Sequence, residues 1–293
     1  MKTLKTPLRY PGGKSRATKK IGPYIPDLRE YDEFREPFLG GGSVSLYVTK
    51  KYPDVKIWVN DLYEPLVNFW KQLQRDGRKM KLKLTELKSR YPDPSSAKGL
   101  FLSSKDYLTN NEPDPFWRAV SFYVVNKCSF SGLTESSSFS KMASDNNFTM
   151  RGIDKLEGYS YLIRNWKITN FSYEKLLDEQ SERTAFVYLD PPYDIKDNIY
   201  GKKGNMHKGF DHDIFAQTCN ESNIDQLISY NSDQLVKDRF NGWSAAEFDH
   251  TYTMRSVGEY MRDQKKRKEL LLFNYGTEGL VELNQSNKEK CIA

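Results

Sequence analysis

The sequence predicts an α/β protein: an open sheet with a mostly helical insertion. Three observations carry that prediction. Residues 33–61 read as strand, glycine loop, helix and strand, the start of a βαβ unit. The alternation stops between Glu64 and Asn165 and resumes after Trp166. A fully apolar run, Ala185-Phe186-Val187-Tyr188-Leu189, is cut short by Asp190-Pro191-Pro192-Tyr193. Such a run reads as a buried strand, and two prolines cannot continue its ladder.

Taken in order, the first element is Leu8-Arg9-Tyr10-Pro11-Gly12-Gly13-Lys14-Ser15, an extended piece ended by two glycines. A helix is expected from near Ser15 through Lys20. Its first N–H groups, with Lys14, make a natural anion site. The pattern lacks the earlier glycine of a P-loop, so a carboxylate or single phosphate is expected there rather than a nucleoside triphosphate. Next, Glu33 to Phe38 leads into Leu39-Gly40-Gly41-Gly42-Ser43. The helix that follows puts Val44, Tyr47, Val48 and Tyr52 on its inner face. Lys56-Ile57-Trp58-Val59-Asn60-Asp61 reads as the second strand. Its terminal Asp61 is placed to accept from two ribose hydroxyls. The glycines do not follow G-x-G-x-x-G, so a dinucleotide is not expected.

The insertion is expected over residues 64–165, between the two parts, 1–63 and 166–293, of the sheet domain. Lys71 to Arg90 is Lys- and Leu-rich and reads as helix. Pro113-Asp114-Pro115-Phe116-Trp117 reads as a helix start, continuing through Val125. Asn126 to Gly132, Ser136 to Lys141 and Asn146 to Thr149 read as polar, aromatic-dotted loops. After it, Lys167 to Phe171 is a short strand and Tyr173 to Leu177 starts a helix. Asp194 to Gly209 is a Gly- and Lys-rich loop. Asp213 to Asn223 reads as helix, and Leu227 to Tyr230 as a strand ending in Asn231. His250 to Val257 and Glu269 to Tyr275 read as two late strands, with the basic run Lys265-Lys266-Arg267-Lys268 between them.

Composition narrows the class. Net charge is +6 over 293 residues and aromatics make up 14%. A mildly basic, aromatic-rich surface fits a polyanion that is both gripped and stacked upon. The three cysteines, Cys128, Cys219 and Cys291, form no CxxC pair. Neither a disulfide scaffold nor a structural zinc site is expected, and with only three histidines no transition-metal centre either. No run is long enough to span a membrane, and Met1 to Tyr10 lacks the apolar core of a signal peptide. A cytoplasmic protein is therefore expected.

The tetrapeptide at the end of the apolar strand is the most specific chemical signal. It sets a carboxylate and an aromatic ring where open α/β sheets bind ligands. Asp190 and a proline carbonyl can accept the two N–H bonds of an exocyclic amine, while Tyr193 stacks on the ring that bears it.

The order Tyr10-Pro11-Gly12-Gly13-Lys14, Phe38-Leu39-Gly40-Gly41-Gly42-Ser43, Asn60-Asp61, helical insertion and Asp190-Pro191-Pro192-Tyr193 resembles one family. It is that of the Dam-type, D12-class (α group) DNA adenine-N6 methyltransferases, and the likeness spans nearly the whole chain. It implies a Rossmann-like sheet that binds S-adenosyl-L-methionine, with the insertion as target-recognition domain. It implies that Tyr10 and Lys14 meet the methionine part of the cofactor, Lys14 on its carboxylate. Phe38, Gly40, Gly42 and Ser43 pass under the cofactor, Asp61 holds the ribose, and Phe171 packs on its adenine. The target adenine is flipped from the duplex, its amine donating to Asp190 and the Pro191 carbonyl and its ring stacking on Tyr193. Direct transfer needs no metal and no covalent enzyme intermediate. Related amino-methyltransferases act on cytosine N4, RNA or glutamine amides; the Asp form of the tetrapeptide points to adenine. A catalytically silent DNA binder is the reading from another class, and the intact Lys14, Asp61, Asp190 and Tyr193 argue against it.

DNA contacts are expected from Lys127, Ser129, Ser131, Thr134, Glu135, Ser138, Lys141 and Arg151. GATC-methylating relatives carry an arginine two residues after a Gly-Leu pair. Here Gly132-Leu133 is followed by Thr134 and Glu135. Glutamate cannot donate to guanine but can accept from cytosine N4, so a target other than GATC is expected. Relatives of this type act as monomers on double-stranded DNA, in modification, phage protection or replication and repair marking.

Overall fold

A computed structural model describes residues 5–10, 12–110, 114–132, 137–178, 184–193, 209–250 and 267–276. Its strands are β1 (Glu33–Glu36), β2 (Lys56–Asn60), β3 (Lys167–Thr169), β4 (Ala185–Leu189), β5 (Asp225–Asn231), β6 (Ser244–His250) and β7 (Arg267–Phe273). They form one sheet in the order β3-β2-β1-β4-β5-β7-β6. Strands β1 to β5 pair in parallel, and β7 lies antiparallel between β5 and β6. The order reverses between β1 and β4, which opens a crevice at their carboxyl ends.

The central strands show why the sequence folds this way. Every residue of β4 is buried, as a parallel strand covered on both faces requires. β1 is polar for so central a strand, and its charges are compensated. Buried Arg35 donates to Glu33 at 2.7 Å, to the Leu176 carbonyl at 2.9 Å and to that of Asp178 at 3.3 Å.

The helices are α1 (Thr18–Ile21), α2 (Ser43–Lys51), α3 (Glu64–Arg90), α4 (Pro94–Thr109), α5 (Pro115–Cys128), α6 (Lys141–Asn147), α7 (Met150–Asp154), α8 (Leu156–Leu162), α9 (Glu174–Leu177), α10 (His212–Glu221) and α11 (Gln234–Arg239). Side chains of Asp93, Asp114, Ser140, Thr149, Asp211 and Asp233 cap α4, α5, α6, α7, α10 and α11. Proline in the first turn of α4 and α5 sharpens those starts. α3 is broken at Asp76, whose backbone leaves the helical region.

One core joins Phe34, Val59 and Ile168 of the sheet to Phe69, Trp70, Phe122 and Tyr159 of the helices from α3 to α8. The other face carries Val187, Leu189, Ile228 and Leu270 against Phe215 and Phe240. The helical insertion is thus packed into the sheet's own core.

Several elements differ from expectation. α3 starts at Glu64 rather than Lys71, because Pro65 opens its first turn. α4 was not expected, although Asp93-Pro94 is a cap and first-turn pair. α11 was also missed. β6, at Ser244–His250, was not expected; its seven residues pair with β7. Residues 251–257 lie outside those described, as does most of the 194–209 loop and Lys265 and Lys266. Among the described residues no helix is long and apolar enough to cross a membrane.

Candidate active site

The carboxyl ends of β1, β2 and β4 meet at one cavity. It is lined by Tyr10, Gly12, Gly13 and Lys14, by Glu36 and Phe38 through Val44, by Asp61 and Leu62, and by Asp190, Pro192 and Phe210. Three of the four sequence motifs therefore share one crevice with the fourth.

The glycine loop takes its shape from two left-handed residues, Gly40 at φ +47° and Gly42 at φ +66°. A Cβ on Gly40 would lie 3.0 Å from the Tyr10 ring, and one on Gly42 2.9 Å from Trp70. The Trp70 indole also donates to the Gly40 carbonyl at 3.2 Å. So α3, from the expected insertion, props the glycine loop. Ser43 opens α2, and its hydroxyl pairs with that of Ser15 at 2.8 Å. Phe38 stacks on Tyr173 with ring centres 5.5 Å apart.

Asp61 faces this loop. Its two oxygens accept from Gly40 N at 2.9 Å and Tyr63 N at 3.0 Å. Each oxygen keeps a lone pair, as recognition of two vicinal hydroxyls requires. Burial pushes its carboxyl up to about 6, against the pull of those N–H bonds. Glu36, at the end of β1, is pushed up to about 8 by burial, and it accepts from Ser45.

Lys14 is nearly buried and lies at the centre of a cluster. Its ammonium is 2.7 Å from Asp190, 2.8 Å from the Tyr193 hydroxyl, 3.2 Å from the Gly12 carbonyl and 3.2 Å from Glu269. Tyr193 also donates to Glu269. Its ring stacks on Tyr230 at 5.8 Å and 17°. Asp190 is pushed up to about 6, chiefly by burial, with Lys14 opposing. Lys14, expected on a cofactor carboxylate, has its ammonium engaged here by Asp190 and Glu269. Pro191 is buried behind the turn.

Phe171 lies differently from the rest. It is 50% exposed and does not line the cavity. Its backbone is pinned to Asn60, which accepts from Phe171 N at 2.8 Å and donates to Phe171 O at 2.9 Å.

The expected DNA contacts separate by burial. Ser138, Lys141 and Arg151 are exposed. Lys127 and Ser129 are buried. Burial and nearby Arg9 push Lys127 down to about 7. Thr134, Glu135 and the Ser131 side chain lie outside what is described. A bridge between Ser129 and Phe139 closes this loop at its base. Asn126 ties it to the first motif: Arg9 N donates to Asn126 at 2.9 Å, and Asn126 donates to Arg9 O at 2.6 Å and Gly132 O at 3.0 Å.

Sequence reasoning missed Glu36, Tyr230 and Glu269 as site residues. Glu36 precedes the glycine loop and was within reach of it. Tyr230 and Glu269 carry no motif; pairing of β5 with β4 brings in the first and of β7 with β5 the second.

This sheet order and this crevice are consistent with a methyltransferase fold. The chain belongs to the D12 class of N6 adenine-specific DNA methyltransferases, whose family model matches residues 10–254. It is 28% identical over 200 residues to the Type II methyltransferase M.MjaIII of Methanocaldococcus jannaschii, covering 64% of this chain and 68% of that one. It is 23% identical over 297 residues to a DNA adenine methylase of Vibrio cholerae, covering 92% and 96%. Similarity to the Type II methyltransferase M.CviBI of Paramecium bursaria Chlorella virus NC1A is 22% over 286 residues, covering 93% and 100%. The chain is thus an enzyme that methylates the N6 amine of adenine in DNA.

Proposed function

We propose that the methyl donor is S-adenosyl-L-methionine and that the target adenine is flipped out of double-stranded DNA into the turn 190–193. The carrying observation is that the Asp190 carboxylate opens into the same crevice as the glycine loop and Asp61. The residues present suit this cofactor. Left-handed glycines allow close backbone approach, Asp61 offers two acceptors, and the carboxylates of Asp61 and Asp190 favour a cation. When bound, the cofactor supplies a methyl group already activated on a sulfonium.

The chain's own residues then position and polarise. Tyr10, Phe38, Gly40, Gly42 and Ser43 shape the bed, with Asp61 on the ribose and Lys14 near the amine acceptor. Phe171, which follows β3 and is pinned by Asn60 to the end of β2, meets the cofactor's adenine. Asp190 and the Pro191 carbonyl accept the two N–H bonds of the target amine, which turns its lone pair toward the methyl group. Tyr230 backs one face of Tyr193, so the opposite face meets the base. Lys127, Ser129, Ser131, Thr134, Glu135, Ser138, Lys141 and Arg151, within the recognition unit 64–165, face or frame the DNA. The enzyme acts as a monomer, in the cytoplasm, on a sequence other than GATC.

The test is transfer of a labelled methyl group from S-adenosyl-L-methionine to unmethylated duplex DNA, with the product mapped by single-molecule sequencing. Asp190→Ala should lower kcat by about a hundredfold or more. An Asp190→Ala enzyme as fast as wild type would remove Asp190 from the mechanism. Transfer to RNA or cytosine with none to duplex adenine would overturn the substrate.

A further inference from the structure

Glu269 sits on β7 opposite Asn231, and Leu270 sits opposite Tyr230. This antiparallel register carries a carboxylate back to the carboxyl end of β5, beside the turn that follows β4. Glu269 is 1% exposed and Lys14 3%. Leu270, Leu271 and Leu272 follow it in the same strand and fill the core. A buried carboxylate is costly to desolvate unless it is paired, so its presence among leucines calls for a partner and a use. Among the described residues it accepts from the Tyr193 hydroxyl and lies 3.2 Å from the Lys14 ammonium. The same ammonium is 2.7 Å from Asp190. One buried cation is thus shared by a buried carboxylate, Glu269, and a partly exposed one, Asp190, and of the two only Asp190 lines the cavity.

We propose that Glu269 is a positioning residue for methyl transfer: it holds the Tyr193 hydroxyl and gives Lys14 a second carboxylate, so that Asp190 is available to the substrate amine. The inference rests on the reading of Asp190 as the amine acceptor. Without Glu269, more of the Lys14 charge would fall on Asp190 and compete with the incoming amine. With it, Lys14 shifts toward Glu269 as the amine donates to Asp190, and no buried charge is left unpaired. Tyr193 is fixed at its hydroxyl edge by Glu269 and on one face by Tyr230, which preorganises the stacking surface.

The experiment measures kcat and KM on duplex DNA, cofactor affinity by calorimetry and thermal stability. The proteins are wild type, Glu269→Gln, Glu269→Asp, Tyr193→Phe and the Glu269→Gln/Tyr193→Phe double variant. Glu269→Gln should lower kcat by about ten- to a hundredfold, while cofactor Kd stays within about twofold. Glu269→Asp should recover part of the rate. The double variant should lose less than the product of the two single losses, since both act through one cluster. Wild-type kcat in Glu269→Gln would overturn the proposal. So would a loss that follows thermal stability and cofactor affinity together and multiplies with that of Tyr193→Phe. If instead wild type transfers methyl to DNA and Asp190→Ala is unimpaired, the reading beneath the proposal fails, whatever Glu269→Gln does.

Discussion

Asp190 and Asp61 meet opposite demands from burial and function. Both carboxyls are raised to about 6 by desolvation, yet both must be ionised to accept hydrogen bonds as proposed. Because the folded values lie above the unfolded ones, the two groups favour folding fully below about pH 4 and lose that contribution as pH rises through 6. Activity runs the other way. The rate should fall as pH drops below about 6, and cofactor affinity should weaken over the same window. A pH profile of kcat/KM that stays flat from pH 7 to 5 would contradict this. Gly42 makes a separate point. At φ +66° and with Trp70 2.9 Å from a built Cβ, it admits no side chain without strain. Gly42→Ala should cost about 1–2 kcal/mol of stability and weaken the cofactor, read by thermal melting with and without S-adenosyl-L-methionine.

At the scale of elements, the turns were the most legible parts. Asp190-Pro191-Pro192-Tyr193 had to end β4, and Leu39 to Ser43 had to bend between β1 and α2, because proline and glycine leave the backbone few alternatives. Capped helices with a polar face were harder. α4 and α11 carry Asp caps, but their polar faces hid any apolar period. β6 was not expected because Ser244-Ala245-Ala246-Glu247 has little strand preference of its own; its seven pairings with β7 hold it. The loop closed by Ser129 and Phe139 joins the expected DNA contacts to the cofactor motif through Asn126. Exposed Lys141 and Arg151 on α6 and α7 are its candidates for phosphate contact. Lys141→Ala and Arg151→Ala should each weaken DNA binding and reduce the salt slope by about 0.9, measured by titration at several salt concentrations. A slope unchanged in both would remove these residues from the interface.

At the scale of the molecule, a net charge of +6 supports a polyanionic partner without locating it. Much of that charge lies on α3, between Lys71 and Arg90, where the opposite face is core. Helices α3 to α8 share one apolar core with β1, β2 and β3, so the helical insertion and the sheet are held by common side chains such as Trp70 and Phe69. The fold class, the switch-point crevice and the residues Lys14, Asp61 and Asp190 were readable along the chain, because each belongs to a turn whose backbone demands particular residues. The meeting of Lys14, Asp190, Tyr193 and Glu269 was not. It depends on β7 entering antiparallel between β5 and β6, and a pairing between distant strands leaves no local signal in either. A buried carboxylate in an apolar strand becomes intelligible only when the cation that neutralises it is brought alongside by the sheet.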